Sequence, residues 1–185
     1  LVHNAIRYTP TGGSVTVTLV HIDGAFGLWV ASSKRYRHLV KGIEKADSWA
    51  TDAHKWLNIP SDSGIAFVAD SESHKIAMTI PAAYKVEVEN VRDQIDWGPE
   101  WSRRARGIPL YAALRTLGRN GVAGMIERCC DLTREFVEQL AKLPGVEVLT
   151  QPIINQGLVR FLDANGDHDD RTDKVIARIN ATGEA

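Results

Sequence analysis

Four side chains in this sequence have the types and the placing to do chemistry together: Asp23, His54, Lys55 and Tyr84. A lysine amine that has lost its proton attacks carbonyl carbons, and an imidazole or a phenol can carry a proton to or from a reacting atom. Each also has an ordinary reading. A lysine after a strand is usually a solvated surface residue, and an aspartate at a strand end is usually a turn former or helix cap. A histidine is more often structural than catalytic, and a loop tyrosine commonly lies against the surface.

The elements that must position these residues are legible from periodicity. Ser14 to Val20 alternates Val15, Val17 and Leu19 against Thr16 and Thr18, a strand signal strengthened by β-branching. The run continues through His21-Ile22-Asp23 and stops at Gly24, so Asp23 sits at a strand end. Residues 28–45 mix short helical stretches. Ser48 to Thr51 reads as a short strand ending at the polar run Asp52-Ala53-His54-Lys55, and 64–69 as a buried strand. Residues 81–107 carry no clear period and hold two of the five tryptophans, which predicts a long, partly ordered loop around Tyr84.

Further on, Ile108 to Arg119 predicts a helix stopped by Asn120-Gly121. Val122 to Leu143 predicts a longer one, with Val122, Met125, Ile126, Cys129, Phe136, Val137 and Leu140 at three- and four-residue steps and Pro144-Gly145 at its end. Val146–Leu149 and Leu158–Leu162 are strand candidates, followed by the acidic loop 164–170 and a helix from Arg171. Strands alternating with helices give an α/β fold, with a smaller α+β region from about Val122 onward. At the other end, Leu1, Ala5 and Tyr8 share one side of a helical turn that Pro10 must end. A start at Leu1 inside that helix and a stop just after another suggest a piece of a longer protein.

The totals exclude several classes. Lys plus Arg number 22 against 23 Asp plus Glu, a net charge of −1 that offers nucleic acid no basic stripe. Apolar runs such as 64–69 are too short to span a bilayer, and the N-terminus lacks the layout of a signal peptide. Cys129 and Cys130 are adjacent, cannot staple distant segments, and suit a reducing cytoplasm. No metal-binding set is expected.

The local wording around the four residues is more specific than their types. HIDGAFG at 21–27, followed by ADSWATDAHKWLNIPSDSG at 46–64, resembles the group II pyridoxal-phosphate-dependent amino-acid decarboxylases. In that family a strand carrying H-[VI]-D-[AG]-A precedes one ending in [ND]-x-H-K-W. Lys55 follows Asp23 by 32 residues, the separation expected of the family, and the likeness runs on through SRRARGIPLYAALRTLGRNGVAGMIERCCDLTREF to about residue 182. The resemblance implies the large domain of a fold-type-I pyridoxal-phosphate enzyme with the start of its small C-terminal domain. Domains are therefore expected at 21–120 and 121–185.

The resemblance also implies roles. Lys55 would form the Schiff base with the cofactor aldehyde, favoured by desolvation at the base of a cleft. Asp23 would keep the pyridine nitrogen protonated, so that the ring accepts the electron pair left by carbon dioxide. Ala25 would lie against the ring plane. His54 would reach the cofactor phosphate, with Asp52 nearby as a poorer phosphate neighbour. Tyr84, 29 residues after Lys55, falls where the family carries a mobile-loop tyrosine that protonates the carbon after decarboxylation. Arg103, Arg104 and Arg106 read as a solvated basic cluster or as a pin for the loop or a dimer partner. The implied substrate is an amino acid, a small molecule whose side chain the sequence does not name, and the implied parent a homodimer, with neither nucleic acid nor membrane as partner.

The first twenty residues depart from that pattern. LVHNAIRYTPTGGSVTVTL resembles the asparagine box of histidine-kinase ATP-binding domains, in which Asn4 would hold Mg²⁺ of ATP. The glycine-rich boxes that close over a nucleotide do not follow, so a fusion or assembly join at 1–20 is the expectation. The family's phosphate cradle, the side chain stacked on the cofactor and most of the substrate pocket lie outside the sequence. The expected function is thus an incomplete amino-acid decarboxylase. An aminotransferase or desulfurase of similar fold, an ATP-binding sensor-kinase fragment, and an inactive remnant are the alternatives.

Overall fold

Strand β1 (His21–Asp23) runs parallel to β2 (Ser48–Asp52), which pairs antiparallel with β3 (Gly64–Val68), giving the order β1-β2-β3. The computed structural model describes residues 10–81 and 91–183, so Asn4 and Tyr84 lie outside the described residues. Two units divide the chain: Leu1–Trp29 with Val40–Thr116, and Val30–Leu39 with Leu117–Ala185.

In the first unit the register pairs Asp23 with Ala50 and Asp52 with Gly64. Gly24 closes the β1 end. Its N–H donates to the Ala50 carbonyl at 2.8 Å, and a Cβ there would lie 2.8 Å from Leu28 Cβ and 2.9 Å from that carbonyl oxygen. Beneath it lie Leu28, Ala53, Trp56, Leu57 and Ile59, all buried, with Phe26 edge-on to Trp56 at 5.9 Å. On one sheet face Trp49 stacks on Phe67, its cross-strand partner, at 3.8 Å.

The strands differ from the pattern in two ways. Residues 14–20 join no ladder among the described residues, although their alternation is that of a strand, and Leu19 is 78% exposed. Alternation makes a face, but only a partner strand satisfies the backbone. Instead Val20 is fastened to Asp47, whose Oδ2 accepts the Val20 N–H at 2.8 Å. The segment 64–69 forms β3 but is largely exposed rather than buried.

Helix α1 (Ser71–Met78) was not signalled by apolar periodicity; it is capped by Asp70, which accepts from the N–H groups of Glu72 and Ser73. Those bonds, led by the Ser73 hydroxyl, hold the Asp70 carboxyl below its ordinary range. His74 meets Trp97 of the following segment, and Thr79 donates to the buried Asp96 at 3.1 Å. Beyond Trp97, Arg104 Nη2 reaches Asp62 Oδ1 at 2.9 Å and Arg106 Nη2 reaches Asp62 Oδ2 at 2.8 Å. Two of the three arginines therefore grip the loop that follows Lys55 rather than standing free in solvent. Hydrogen bonding from Arg106 is the main cause that lowers the Asp62 carboxyl from 3.8 to about 2.

Helix α2 (Gly107–Leu140) begins with Pro109 in its first turn, where the missing N–H costs nothing. It breaks at Gly118, with φ 60° and ψ −179°, not at Asn120-Gly121, which stay helical. That backbone region belongs to glycine. Asn-Gly tolerates a turn but does not require one, and a long apolar face draws it into the helix.

In the second unit Val122, Ile126, Cys130 and Val137 form the buried stripe of α2, while Phe136 of the expected face is exposed. Val30, Ser33 and Tyr36 are buried, and polar ties fasten their segment to α2. Ser33 Oγ donates to Glu127 at 2.5 Å, Arg35 meets Asp131 at 2.8 Å, and Arg134 donates to Tyr36 Oη at 3.0 Å. Arg134, then Arg35, holds the Asp131 carboxyl low, and burial pushes the Cys130 thiol up. Strands β4 (Val146–Thr150) and β5 (Leu158–Phe161) make an antiparallel pair, with α3 (His168–Thr182) beside β5. Helix α3 starts three residues before Arg171 because Asp167 caps it, accepting the Asp170 N–H at 3.1 Å.

Three outcomes test these assignments. Gly24→Ala should lower unfolding stability by about 1–3 kcal/mol in denaturant titration, since neither Leu28 nor a paired backbone can yield cheaply. Gly118→Ala should cost a similar ~1–3 kcal/mol, whereas Gly124→Ala, helical and with open space at its Cβ, should gain about 0.5–1 kcal/mol. Asp62 has a folded value below its unfolded one, so its contribution is complete above pH 3.8 and disappears as pH falls towards 2. Native chain and Asp62→Asn should therefore differ in thermal midpoint at pH 6, converge by about pH 2, and converge also at high salt.

Candidate cofactor site

The parallel pairing of β1 and β2 carries both C-terminal ends to one edge of the sheet, and β3 begins there. Side chains alternate along a strand, so Asp23, Ala50 and Asp52 share a face with Ala66 and Gly64 of β3. Apart from the two carboxylates, that stretch is floored by the smallest side chains. Asp23 is exposed, and its Oδ1 accepts the Ala25 N–H at 3.1 Å. This local bond turns the chain after the strand and fixes the carboxylate. Among the described residues no donor meets its Oδ2.

Ala25 is held from the opposite strand. Its carbonyl accepts the Asp52 N–H at 2.5 Å and the Thr51 hydroxyl at 3.0 Å, while that hydroxyl also reaches the Gly24 carbonyl at 3.1 Å. Thr51 is buried, and Trp29 Nε1 donates to the Asp52 carbonyl at 3.0 Å. Thr51 and Trp29 thus join the two motif segments, a role that neither residue type announces in the sequence.

His54 is oriented by Ser63. The buried Ser63 N–H donates to Nδ1 at 3.0 Å, and the Ser63 carbonyl already accepts the Ala53 N–H at 2.8 Å. The same Nδ1 lies 3.1 Å from the Ser63 carbonyl oxygen, so Ser63 fixes the ring through two contacts; we assign Nδ1 as acceptor of the buried Ser63 N–H, which places the ring proton on Nε2. Nε2 then faces the open side, 3.9 Å from Asp52 Oδ2. Lys55 differs from the expected desolvated amine. Its side chain is 45% exposed, and its Nζ forms an ion pair with Asp52 Oδ2 at 2.9 Å.

The structure brings Asp23, Ala25, Asp52, His54 and Lys55 to one end of one sheet, and Tyr84 lies outside the described residues. These residues fit pyridoxal phosphate. A planar ring needs a shallow floor, which Ala50, Ala66 and Gly64 leave open; its nitrogen needs a carboxylate with a free oxygen, which Asp23 has. An aldehyde needs a primary amine, and a phosphate needs an N–H donor such as His54 Nε2. Sequence reasoning missed Thr51, Ser63, Trp29 and Asp62, because buried hydroxyls, indoles and loop carboxylates carry no periodic signal.

Comparison with known proteins gives the family and the fold. The family described as "Pyridoxal-dependent decarboxylase conserved domain" matches residues 14–162. Tyrosine decarboxylase 2 of Arabidopsis thaliana is 28% identical over 172 residues, covering 89% of this chain and 32% of that protein. Aromatic-L-amino-acid decarboxylase of Drosophila lebanonensis is 29% identical over 167 residues, covering 89% of this chain and 40% of that one. The chain therefore spans roughly a third of the length of these curated relatives. Mouse CSAD superposes with a TM-score of 0.69 at 28% identity, over 78% of this chain and 30% of its own. Oryza sativa TDC, solved with PLP and tryptamine, shares the fold at a TM-score of 0.84 and 22% identity, over 98% of this chain and 38% of its own. The fold is accordingly α/β, part of the fold-type-I architecture of such enzymes. With 14–162 matched, the chain belongs to the pyridoxal-dependent decarboxylase family.

Proposed function

We propose that this chain carries the lysine-bearing part of a pyridoxal-phosphate-dependent carboxy-lyase that converts an amino acid to its amine and carbon dioxide. The observation that supports this most directly is the shared sheet edge, where β1 delivers Asp23 and Ala25 and β2 delivers Asp52, His54 and Lys55. The cofactor, when bound, supplies a ring that accepts the electron pair released as the α-carboxylate leaves.

The chain's own residues do the rest. Lys55 would provide the primary amine that holds the cofactor through its aldehyde group. Asp23 keeps the ring nitrogen protonated through the oxygen that Ala25 leaves free, because a carboxylate beside the nitrogen favours its charged form. Ala25 would lie against the ring plane, where a larger side chain would collide. His54 donates its Nε2 proton to the phosphate. Tyr84 delivers a proton to the carbon that has lost its carboxylate; a phenol suits this step because it holds its proton firmly until the site closes.

The two curated relatives, tyrosine decarboxylase 2 and aromatic-L-amino-acid decarboxylase, act on aromatic amino acids by their names, which makes an aromatic substrate the first class to test. The balanced charge and adjacent cysteines favour a cytoplasmic enzyme without nucleic-acid or membrane partners, and the family resemblance favours a homodimeric parent.

Borohydride reduction of the chain with pyridoxal phosphate, followed by peptide mass spectrometry, should place the label on Lys55, and Lys55→Ala should lose it. Label spread evenly over exposed lysines would sink the proposal. Where carbon dioxide release from an amino acid is measurable, Tyr84→Phe should abolish amine formation by a factor of about 10² or more while Lys55 labelling persists. Conversion of an added keto acid, indifferent to position 84, would instead indicate transamination.

A further inference from the structure

Asp52 occupies a position that the proposed chemistry does not explain. It is the last residue of β2, and its backbone is fixed on both sides by the Ala25 carbonyl and the Trp29 indole. Its backbone is therefore fixed where the side chain leaves the strand. Oδ2 stands 2.9 Å from Lys55 Nζ and 3.9 Å from His54 Nε2, so one carboxylate faces both groups assigned to the cofactor. Oδ1 lies over Gly64, where even an added Cβ would sit 3.7 Å away. A carboxylate is a poor neighbour for a phosphate, since like charges at this range repel. It is a good neighbour for an ammonium. An ammonium, however, has no lone pair with which to attack an aldehyde.

We infer that Asp52 is a counter-ion lock: in the cofactor-free protein its Oδ2 pairs with the Lys55 amine at 2.9 Å, and Lys55 reacts only after leaving that ion pair. The inference rests on the reading of Lys55 as the cofactor lysine. Release breaks one salt bridge and Lys55 gives one proton to a solvent base; the freed lone pair would then bond to the aldehyde carbon, whose oxygen would leave as water with the two remaining nitrogen protons. Asp52 is thus a positioning residue that acts through Lys55. Its anchoring by backbone bonds makes the lock local, and its partial exposure makes it weak enough to open.

The test needs no cofactor. Trace reductive methylation with formaldehyde and cyanoborohydride, read lysine by lysine by mass spectrometry, reports how available each amine is, with Lys34 and Lys41 as internal standards. Asp52→Asn keeps the shape of the side chain and removes its charge. It should raise Lys55 labelling relative to the standards by roughly two- to fivefold, the range that a half-exposed ion pair commands. In the native chain 0.5 M salt should raise the same ratio and narrow the gap to the variant, a response that a merely structural role would not give. An unchanged or lower Lys55 ratio in Asp52→Asn overturns the lock. If that variant fails to fold, the salt series on the native chain decides alone, and a flat series overturns it. Failure of pyridoxal phosphate to label Lys55 in either protein counts against the proposed function, whereas the methylation ratio alone judges Asp52.

Discussion

The arrangement depends on one short parallel pairing and its closure. β1 is three residues long and could not hold its place by ladder bonds alone. What fixes its end is the crossing set of bonds beyond the ladder: Gly24 N–H to Ala50, Asp52 N–H to Ala25, and the Thr51 hydroxyl to both Gly24 and Ala25 carbonyls. These bonds are buried or part-buried, and a neutral hydrogen bond contributes about 1 kcal/mol net while costing more if one buried partner is lost. Gly24 is the enabling residue, because only a missing Cβ lets Leu28 and the Ala50 carbonyl come that close. Everything proposed for Asp23 and Ala25 follows from this closure, since it is what sets their side chains beside the end of β2.

Much of this was legible in the sequence, and the reasons differ by residue. Asp23, His54 and Lys55 were found by motif wording, and the strand ends that carry them by β-branching and turn residues. The α/β class followed from alternating elements. The boundary errors have physical causes. Residues 14–20 have the alternation of a strand but no partner among the described residues, so Val20 is fastened by Asp47 instead. The helix break moved to Gly118 because backbone geometry, not Asn-Gly composition, decides it. Helix α1 escaped notice because its apolar face is slight; its one clear mark was Asp70 ahead of Glu72 and Ser73, an N-cap signal.

The less legible part is electrostatic. Nothing in the spacing of Asp52, Asp62, Arg104 and Arg106 says which charges meet. The two arginines converge on Asp62 because residues 104–106 return to the loop after Lys55, a contact of more than 40 positions in sequence. Exposed ion pairs of this kind are individually weak and salt-sensitive. They order a loop without making it rigid.

A division of labour results between the two sides of the site. The carboxylate side, Asp23 with Gly24 and Ala25, is held by bonds among uncharged groups of Gly24, Ala25, Ala50, Thr51 and Asp52 N–H, which salt and pH leave largely untouched. The lysine side is held by ion pairs, Asp52 with Lys55 in the site and Asp62 with Arg104 and Arg106 in the loop beyond. On the proposed chemistry that division is the useful one. A group that keeps a ring nitrogen charged must stay still throughout a turnover, because any drift of the carboxylate weakens the electron sink. A lysine that must release one carbonyl carbon to a substrate amine and recover it afterwards needs a hold that is specific in direction but small in free energy. A half-exposed ion pair anchored to the last residue of a strand meets both conditions; a buried one would hold the amine too firmly for it to exchange partners.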